Sequence, residues 1–273
     1  MRFLYWNLGK RRIEDLICKI VNREKIDVII LSECDLDFTR MLKVLNEGRD
    51  NRYDLENSPI GEPAIITNLP FDSVKLISDG GYMAARKLIP PLGDPMNIFV
   101  VHLPSKMYQD TDNQSQLAAR WARIIEETER IEGHKRSIVT GDFNMNPFES
   151  GIISSEGFHA VMTKRIARKF SRTVAKEERS YFYNPMWSHF GEYPESVPGT
   201  YYYQGTTPIV YFWNIFDQVL VRPDLIDSFI ESELRILTSA DDVSLIRKDG
   251  IPDQVHSSDH LPIIFEIDTL KGI

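Results

Sequence analysis

Cysteine is nearly missing from these 273 residues: Cys18 and Cys34 are the only two. They are too few and too isolated for a disulfide framework or a Cys-based zinc site, and a reducing, cytoplasmic location is expected. Long apolar runs are missing too. The opening MRFLYWNLGK holds only the short apolar run FLYW with no small-residue cleavage site behind it, and no later stretch approaches the length of a membrane span. Neither a signal peptide nor a transmembrane segment is expected. Positive charge is in deficit, 32 Lys and Arg against 40 Asp and Glu for a net charge of −8, so net charge gives no general attraction for polyanions. An acidic nuclease stays open. The chain also lacks a G-x-S-x-G elbow, a P-loop, a G-x-G-x-x-G turn and an H-E-x-x-H pair, so nothing points to those chemistries.

What is present is enough apolar material for a large core: 42% hydrophobic and 11% aromatic residues with 26% charged. One domain over residues 1–273 is expected, without internal repeats or low-complexity linkers. RFLYW at 2–6 reads as a buried strand, and Ile13, Leu16, Ile17, Ile20 and Val21 have the spacing of an amphipathic helix. DVIILSE is a second strand, and Phe38, Met41, Leu42 and Leu45 mark a second helix. YDLEN, PAIITN, FDSVKLI and GYMAARKL then follow at hairpin intervals, as a β meander. NIFVVHL, a helix burying Leu117, Trp121, Ile124, Ile125 and Thr128, and SIVTGDF continue the pattern, and IFDQVLVR and LPIIFEI close it. Helices separated by meanders predict a layered α/β sandwich with mixed sheets.

Two stretches differ from the rest. Residues 161–180 gather Lys164, Arg165, Arg168, Lys169, Arg172, Lys176 and Arg179 against Glu177 and Glu178, the one basic cluster of an acidic chain. Residues 181–213 gather aromatics, Tyr193, Tyr201, Tyr202, Tyr203, Tyr211 and Trp213 among them, between prolines and glycines that disfavour regular helix. The bland reading is a solvated helix followed by an aromatic loop packed on the sandwich.

The informative pattern is positional. Four apolar runs each finish on a polar residue able to coordinate or move a proton: Asn7, Glu33, His102 and Asp142. Singly, each has the ordinary reading of a turn residue or a hydrogen-bonded structural group. Together, strand ends can deliver such groups to one edge of a sheet. Asn144 lies two residues beyond Asp142, and Asp259 and His260 must lie on the bend before the last strand if both are to face one pocket. Asp217 interrupts the apolar strand FDQVLV. Burying it unpaired would be costly, and a histidine is the kind of partner that would hold it.

Read in order, WNL, LSE, AIITNLPF, VVHL, GDFN, FDQVLV and SDH resemble the endonuclease/exonuclease/phosphatase superfamily over nearly the whole chain. The resemblance implies a DNase I-like, four-layered αββα sandwich (α/β, α+β) with two mixed β-sheets and an active site at one end. It implies Glu33 as principal divalent-metal ligand, with Asn7 and Asp259 contributing directly or through water. Asp142 would orient or deprotonate the attacking water and Asn144 would position water or phosphate. His260, held by Asp217, would meet the phosphate, and His102 would stabilise phosphoryl charge or protonate the leaving group. Ser32 departs from the Gln common before the metal-binding Glu, which removes one supporting hydrogen bond.

The chemistry of the residues agrees. Like charges about 4 Å apart repel by roughly 4 kcal/mol at an effective dielectric near 20, so Glu33, Asp142, Asp217 and Asp259 share a pocket cheaply only with a cation. Oxygen ligands without a cysteine cluster favour Mg²⁺ or Mn²⁺ over zinc. An in-line water attack needs no covalent nucleophile. His102 separates the chain from AP endonucleases, and GDFN with SDHLPI resembles nuclease branches more than inositol phosphatases. YFYNPMW, PGTYYY and WNIFDQVLV resemble bacterial members described only by the superfamily name. The expected activity is therefore a metal-dependent phosphoesterase, first of all a nuclease preferring single strands, with Arg168 and Lys169 tracking phosphates and Trp213 stacking a base. The alternatives are a phosphomonoesterase, a phosphodiesterase for a small or lipid-linked substrate, and a silent binding module, against which the occupied catalytic positions speak.

Overall fold

The computed structural model describes residues 1–56, 63–105, 111–192 and 196–271; Tyr193 of the aromatic stretch lies outside them. The chain opens with β1 (Arg2–Asn7), α1 (Glu14–Glu24), β2 (Val28–Ser32) and α2 (Phe38–Leu45). A meander follows: β3 (Asp54–Leu55), β4 (Ala64–Thr67), β5 (Val74–Gly80), β6 (Met83–Leu88) and β7 (Met96–His102). Then come α3 (Thr111–Glu132), β8 (Ser137–Asp142), α4 (Ser150–Ile153), β9 (Ala160–Val161) and α5 (Lys164–Ala167). Short strands fill the next stretch: β10 (Ser171–Val174), β11 (Glu177–Ser180), β12 (Phe182–Tyr183), β13 (Tyr201–Tyr202) and β14 (Trp213–Asn214). The chain closes with β15 (Asp217–Val221), β16 (Arg235–Ile236), β17 (Ser239–Ala240), β18 (Val243–Ser244) and β19 (Ile263–Glu266).

Two large mixed sheets result, ordered β16-β19-β1-β2-β4-β3 and β5-β6-β7-β8-β15-β12-β9. Each has a parallel pair at its centre, β1 with β2 and β7 with β8, flanked by antiparallel neighbours, and β9 pairs parallel with β12 at the edge of the second sheet. Side chains alternate between the faces of a strand, and every central strand here is apolar on both. Leu4, Trp6, Ile29 and Leu31 pack under α1 and α2 with Ile17, Val21 and Met41. Phe3, Tyr5, Val28 and Ile30 meet Ile98, Val100, Ile138 and Val219 of the second sheet. Phe99, Val101, Val139 and Leu220 pack against Ala118, Trp121 and Ile125 of α3. Three apolar layers between four structural ones make the expected αββα sandwich. A buried bidentate pair, Arg222 with Glu129 at 2.8 and 3.1 Å, ties the end of β15 to α3.

The basic stretch departs from the bland expectation of a solvated helix. Only Lys164–Ala167 is helical, and Ser171–Val174 pairs with Glu177–Ser180 across a two-residue turn. Both turn residues, Ala175 and Lys176, adopt the left-handed φ of 50° and 71° that such tight hairpins demand.

Candidate active site

The alternation that builds the core also delivers the chemistry. Along the face between the sheets, Phe3 and Tyr5 are followed by Asn7, Val28 and Ile30 by Ser32, Ile98 and Val100 by His102, and Ile138 by Thr140 and Asp142. On the antiparallel β15, Val221 and Val219 lead back to Asp217. Each polar group is the last inward-facing residue of its strand. Register aligns them: Asn7 opposite Ser32, and His102, Asp142 and Asp217 in one row across β7, β8 and β15. The strand ends therefore form one rim.

Within it, Asp217 and His260 are both buried, and His260 Nδ1 lies 2.9 Å from Asp217 Oδ2 and 3.1 Å from Oδ1. His260 Nε2 points toward Asp142 Oδ2, 3.9 Å away. Burial opposes a charge on His260, but Asp217 and Asp142 outweigh it and lift its pKa to about 10. Asp142 is pushed up to about 6, mainly by burial, against the pull of the His260 charge and with a further push from Asp217. The Asp142 carboxylate is held on three sides: Oδ2 accepts from Asn7 Nδ2 at 3.0 Å and Asn144 Nδ2 at 3.2 Å, and Oδ1 from the Asn144 backbone N–H at 2.8 Å.

Glu33 turns off β2 with a left-handed φ of 48°, which carries its side chain to the rim. There it stands 3.3 Å from His102 Nε2 and 3.5 Å from Asn7 Nδ2. The hydrogen bond from His102, against the opposing effect of burial, holds the Glu33 carboxyl below its ordinary range. Asp259 sits on the bend before β19, so close to Gly9 that a Cβ there would come within 2.8 Å of Asp259 Oδ1. Beneath Asp142, Gly141 lets β7 and β8 approach: a Cβ would fall 1.9 Å from the Val101 carbonyl oxygen.

Glu33, His102, Asp142, Asn144, Asp259 and His260 open onto one cleft of about 1100 Å³. Asn7 takes a different place from the expected ligand: its Oδ1 accepts from the Gly9 N–H at 3.0 Å, so it turns its amide nitrogen toward Glu33 and Asp142. Its amide nitrogen thus donates to both carboxylates. Asp142, Asp217 and His260 bring possible ligand atoms within 4.8 Å of one another. Their closest contacts are the Asp217–His260 hydrogen bonds, which an ion inside the triad would have to displace. Glu33 and Asp259 are the carboxylates that line the cleft beside that row. They suit a hard cation that completes its shell with water and phosphate.

Three expected substrate contacts lie elsewhere. Arg168 and Lys169 sit beyond β9 and β12, whose register with β15 places Tyr183 opposite Val221, and Val221 opposite Ile138. Lys135, just before β8, bonds to Ser180 of the same segment at 2.8 Å. That is the end of β8 away from Asp142, a strand length of roughly 16 Å. Arg168 is paired with Asp227 at 2.5 Å, Lys164 with Glu231 at 3.2 Å, and Arg179 with Glu156 and Glu177. Trp213 packs against the core under α1 and α2 and edge-on to Tyr202 at 5.5 Å, because β14 alternates its side chains and gives the cleft Asn214 instead.

Other residues do reach the site without having been singled out. Tyr201 lies over His260 with ring centroids 4.7 Å apart, its hydroxyl pKa raised to about 12 by burial and by Asp259 and Asp142. Thr200 Oγ1 accepts from the Asp217 N–H at 3.2 Å, and Ser258 Oγ accepts from the His260 N–H at 3.1 Å. The Tyr5 hydroxyl donates to Ser32 Oγ at 3.2 Å, the partner that the serine provides at this position. Tyr5 alone left a sequence signal, as the polar-tipped inward residue of an otherwise apolar strand.

A four-layered sandwich with an acid and histidine rim at the ends of its inner strands is the architecture of phosphoester hydrolases of the DNase I-like class. The chain belongs to the Endonuclease/Exonuclease/phosphatase family, whose model matches residues 4–260. That family hydrolyses phosphoester bonds and is generally dependent on divalent metal. Among solved structures, the chain is similar to a family protein from Bacteroides thetaiotaomicron, with TM-score 0.55, 14% identity and 98% of each chain covered. It is also similar to the endonuclease domain of TRAS1, a telomere-specific non-LTR retrotransposon, with TM-score 0.53, 14% identity and 99% of each chain covered. ANGEL2, a 2′,3′-cyclic phosphatase, gives TM-score 0.57 and 14% identity, covering 97% of this chain and 93% of its own. These likenesses are of fold. No curated protein matches the chain in sequence.

Proposed function

We propose that the protein is a divalent-metal-dependent phosphodiesterase acting on nucleotide esters, a nuclease in the broad sense. The observation that carries this reading is the buried Asp217–His260–Asp142 row at the floor of the cleft, with Glu33 and Asp259 at its mouth. A Mg²⁺ or Mn²⁺ ion held by Glu33 and Asp259 would neutralise phosphoryl charge and stabilise the departing oxygen. His260, charged and oriented by Asp217, donates from Nε2 to a phosphoryl oxygen. Asp142, with its raised pKa, takes the proton of the attacking water as the new P–O bond forms in line with the breaking one. His102 then supplies a proton to the leaving oxygen. Asn7 and Asn144 keep the Asp142 carboxylate aimed.

The nucleotide part of the reading is supported by the cleft's charge. Among the described lining residues only Lys10 carries a permanent positive charge, too little to grip a polyphosphorylated inositol. The retrotransposon endonuclease is a fold neighbour that fits the reading. A panel of DNA, RNA, inositol phosphates and sugar phosphates, each with Mg²⁺, Mn²⁺ or EDTA, tests it. Cleavage of a nucleotide phosphodiester that EDTA abolishes is the expected result. Hydrolysis of phosphomonoesters alone overturns the reading.

A further inference from the structure

Beside the catalytic rim stands the hairpin of β13 and β14, in which Tyr201 pairs with Asn214 and Tyr202 with Trp213. Its pairing continues one step outward through the Tyr203 N–H to the Phe212 carbonyl at 2.8 Å. Alternation sends Trp213 into the core and leaves Tyr203 on the cleft side with Tyr201. Tyr203, Ile209 and Tyr211 all line the cleft, yet 51%, 76% and 53% of their surface is exposed. Large apolar groups left in water beside a reaction centre do little for the fold. Both tyrosines nonetheless touch neighbours. The Tyr203 ring lies against Gly205, where a Cβ would come 2.6 Å from it, and Tyr211 meets the Phe148 ring edge-on at 5.4 Å. Phe148 is braced in turn by Phe190, also at 5.4 Å.

We infer that Tyr203 and Tyr211, backed by Phe148, form a subsite for one nucleobase next to the reacting phosphate, so that the protein selects its ester by a base and not by a run of phosphates. The inference rests on the phosphodiesterase reading and specifies its substrate. Charge supports it: within the described lining, Lys10 faces Glu33, Asp142, Glu149 and Asp259, which disfavours a second or third phosphate. The paired cations of 164–179 lie at the other end of the sandwich and cannot track a strand leaving this cleft. Openness selects a base over an acyl chain. A chain gains from enclosure on all sides, whereas a base offers flat faces to aromatic rings and keeps polar edges in water.

Two esters with the same p-nitrophenolate leaving group separate the subsite from the chemistry: thymidine 5′-(p-nitrophenyl phosphate) and methyl p-nitrophenyl phosphate. With Mn²⁺ the native protein should prefer the thymidine ester by about tenfold or more in kcat/KM, the size of one base stacked on an aromatic side chain. In Tyr203→Ala/Tyr211→Ala that ratio should fall toward one, and Tyr211→Phe, which keeps the ring, should retain it. Equilibrium titration gives a second readout, with thymidine 5′-monophosphate expected to bind about tenfold more tightly than ribose 5-phosphate, and equally weakly in the double variant. A native ratio near one, or a ratio untouched by the double substitution, overturns the subsite while leaving the phosphodiesterase standing. Ring-dependent binding of the nucleotide without cleavage of either ester upholds the subsite and removes the phosphodiesterase. Neither binding preference nor cleavage removes both.

Discussion

His260 Nδ1 lies 2.9 Å from Asp217 Oδ2 with both side chains buried, so the carboxylate fixes the orientation and favours the charge of the imidazole. Two residues 43 positions apart thus act as one group. In a double-mutant cycle, Asp217→Asn with His260→Ala should cost scarcely more activity than His260→Ala alone. Losses that multiply independently would separate the two.

Asp142 carries the opposite consequence. Its pKa rises from 3.8 to about 6 on folding, so its contribution favours the folded state below pH 3.8 and is lost as pH climbs through 6. Asp142→Asn removes that buried charge. In EDTA at pH 7.5 the variant should be more stable than the native protein, while its activity collapses. The gain should shrink as pH falls below 6, and denaturant titrations at pH 7.5 and 4.5 measure it. A variant less stable at both pH values would show that the carboxylate is anchored more than it is strained.

Glu33 is expected to hold the cation. Glu33→Ala should weaken Mn²⁺ binding by about tenfold or more in a calorimetric titration, with an unchanged far-ultraviolet circular dichroism spectrum. Undiminished Mn²⁺ affinity would move the site to other residues.

Arg168→Ala and Lys169→Ala should leave kcat/KM for short oligonucleotides and its salt dependence unaltered, because both residues sit a sandwich's depth from the cleft. Trp213→Ala should instead lower stability by roughly 1–3 kcal/mol, as a partly buried ring lost from the layer under α1 and α2. A flattened salt slope in the first pair would place substrate along the far end.

Much of this arrangement is written in period-2 runs. RFLYWN, DVIILS, NIFVVH and SIVTGD each announce a strand and its terminal polar group, so the sheets and most of the rim can be read directly. Strands of two residues, such as Tyr201–Tyr202 and Trp213–Asn214, are too short for a period, and their place is fixed from a distance, by the bridge of Tyr201 to His260 and the Leu261 N–H donating to the Thr200 carbonyl. Hence nothing in the sequence sets Tyr201 apart from its aromatic neighbours, and Trp213, four residues before Asp217, is turned away from the cleft by alternation. The basic run misled for a related reason. Its charges look collective in one dimension, but Asp227, Glu231 and Glu156 neutralise three of them from distant segments.

Because Asn7, His102, Asp142 and Asp217 are each the last inward residue of a strand, strand length acts as a ruler for the chemistry. One residue inserted in β8 before Asp142, or one deleted, would swing that carboxylate to the face beneath α3. The sandwich could absorb such a change near a strand end, where few neighbours depend on the register. The rim could not. Drift in this fold should therefore collect in the turns and in the 161–213 excursion, with the counting of residues along β1, β2, β7, β8 and β15 held fixed by function well before stability requires it.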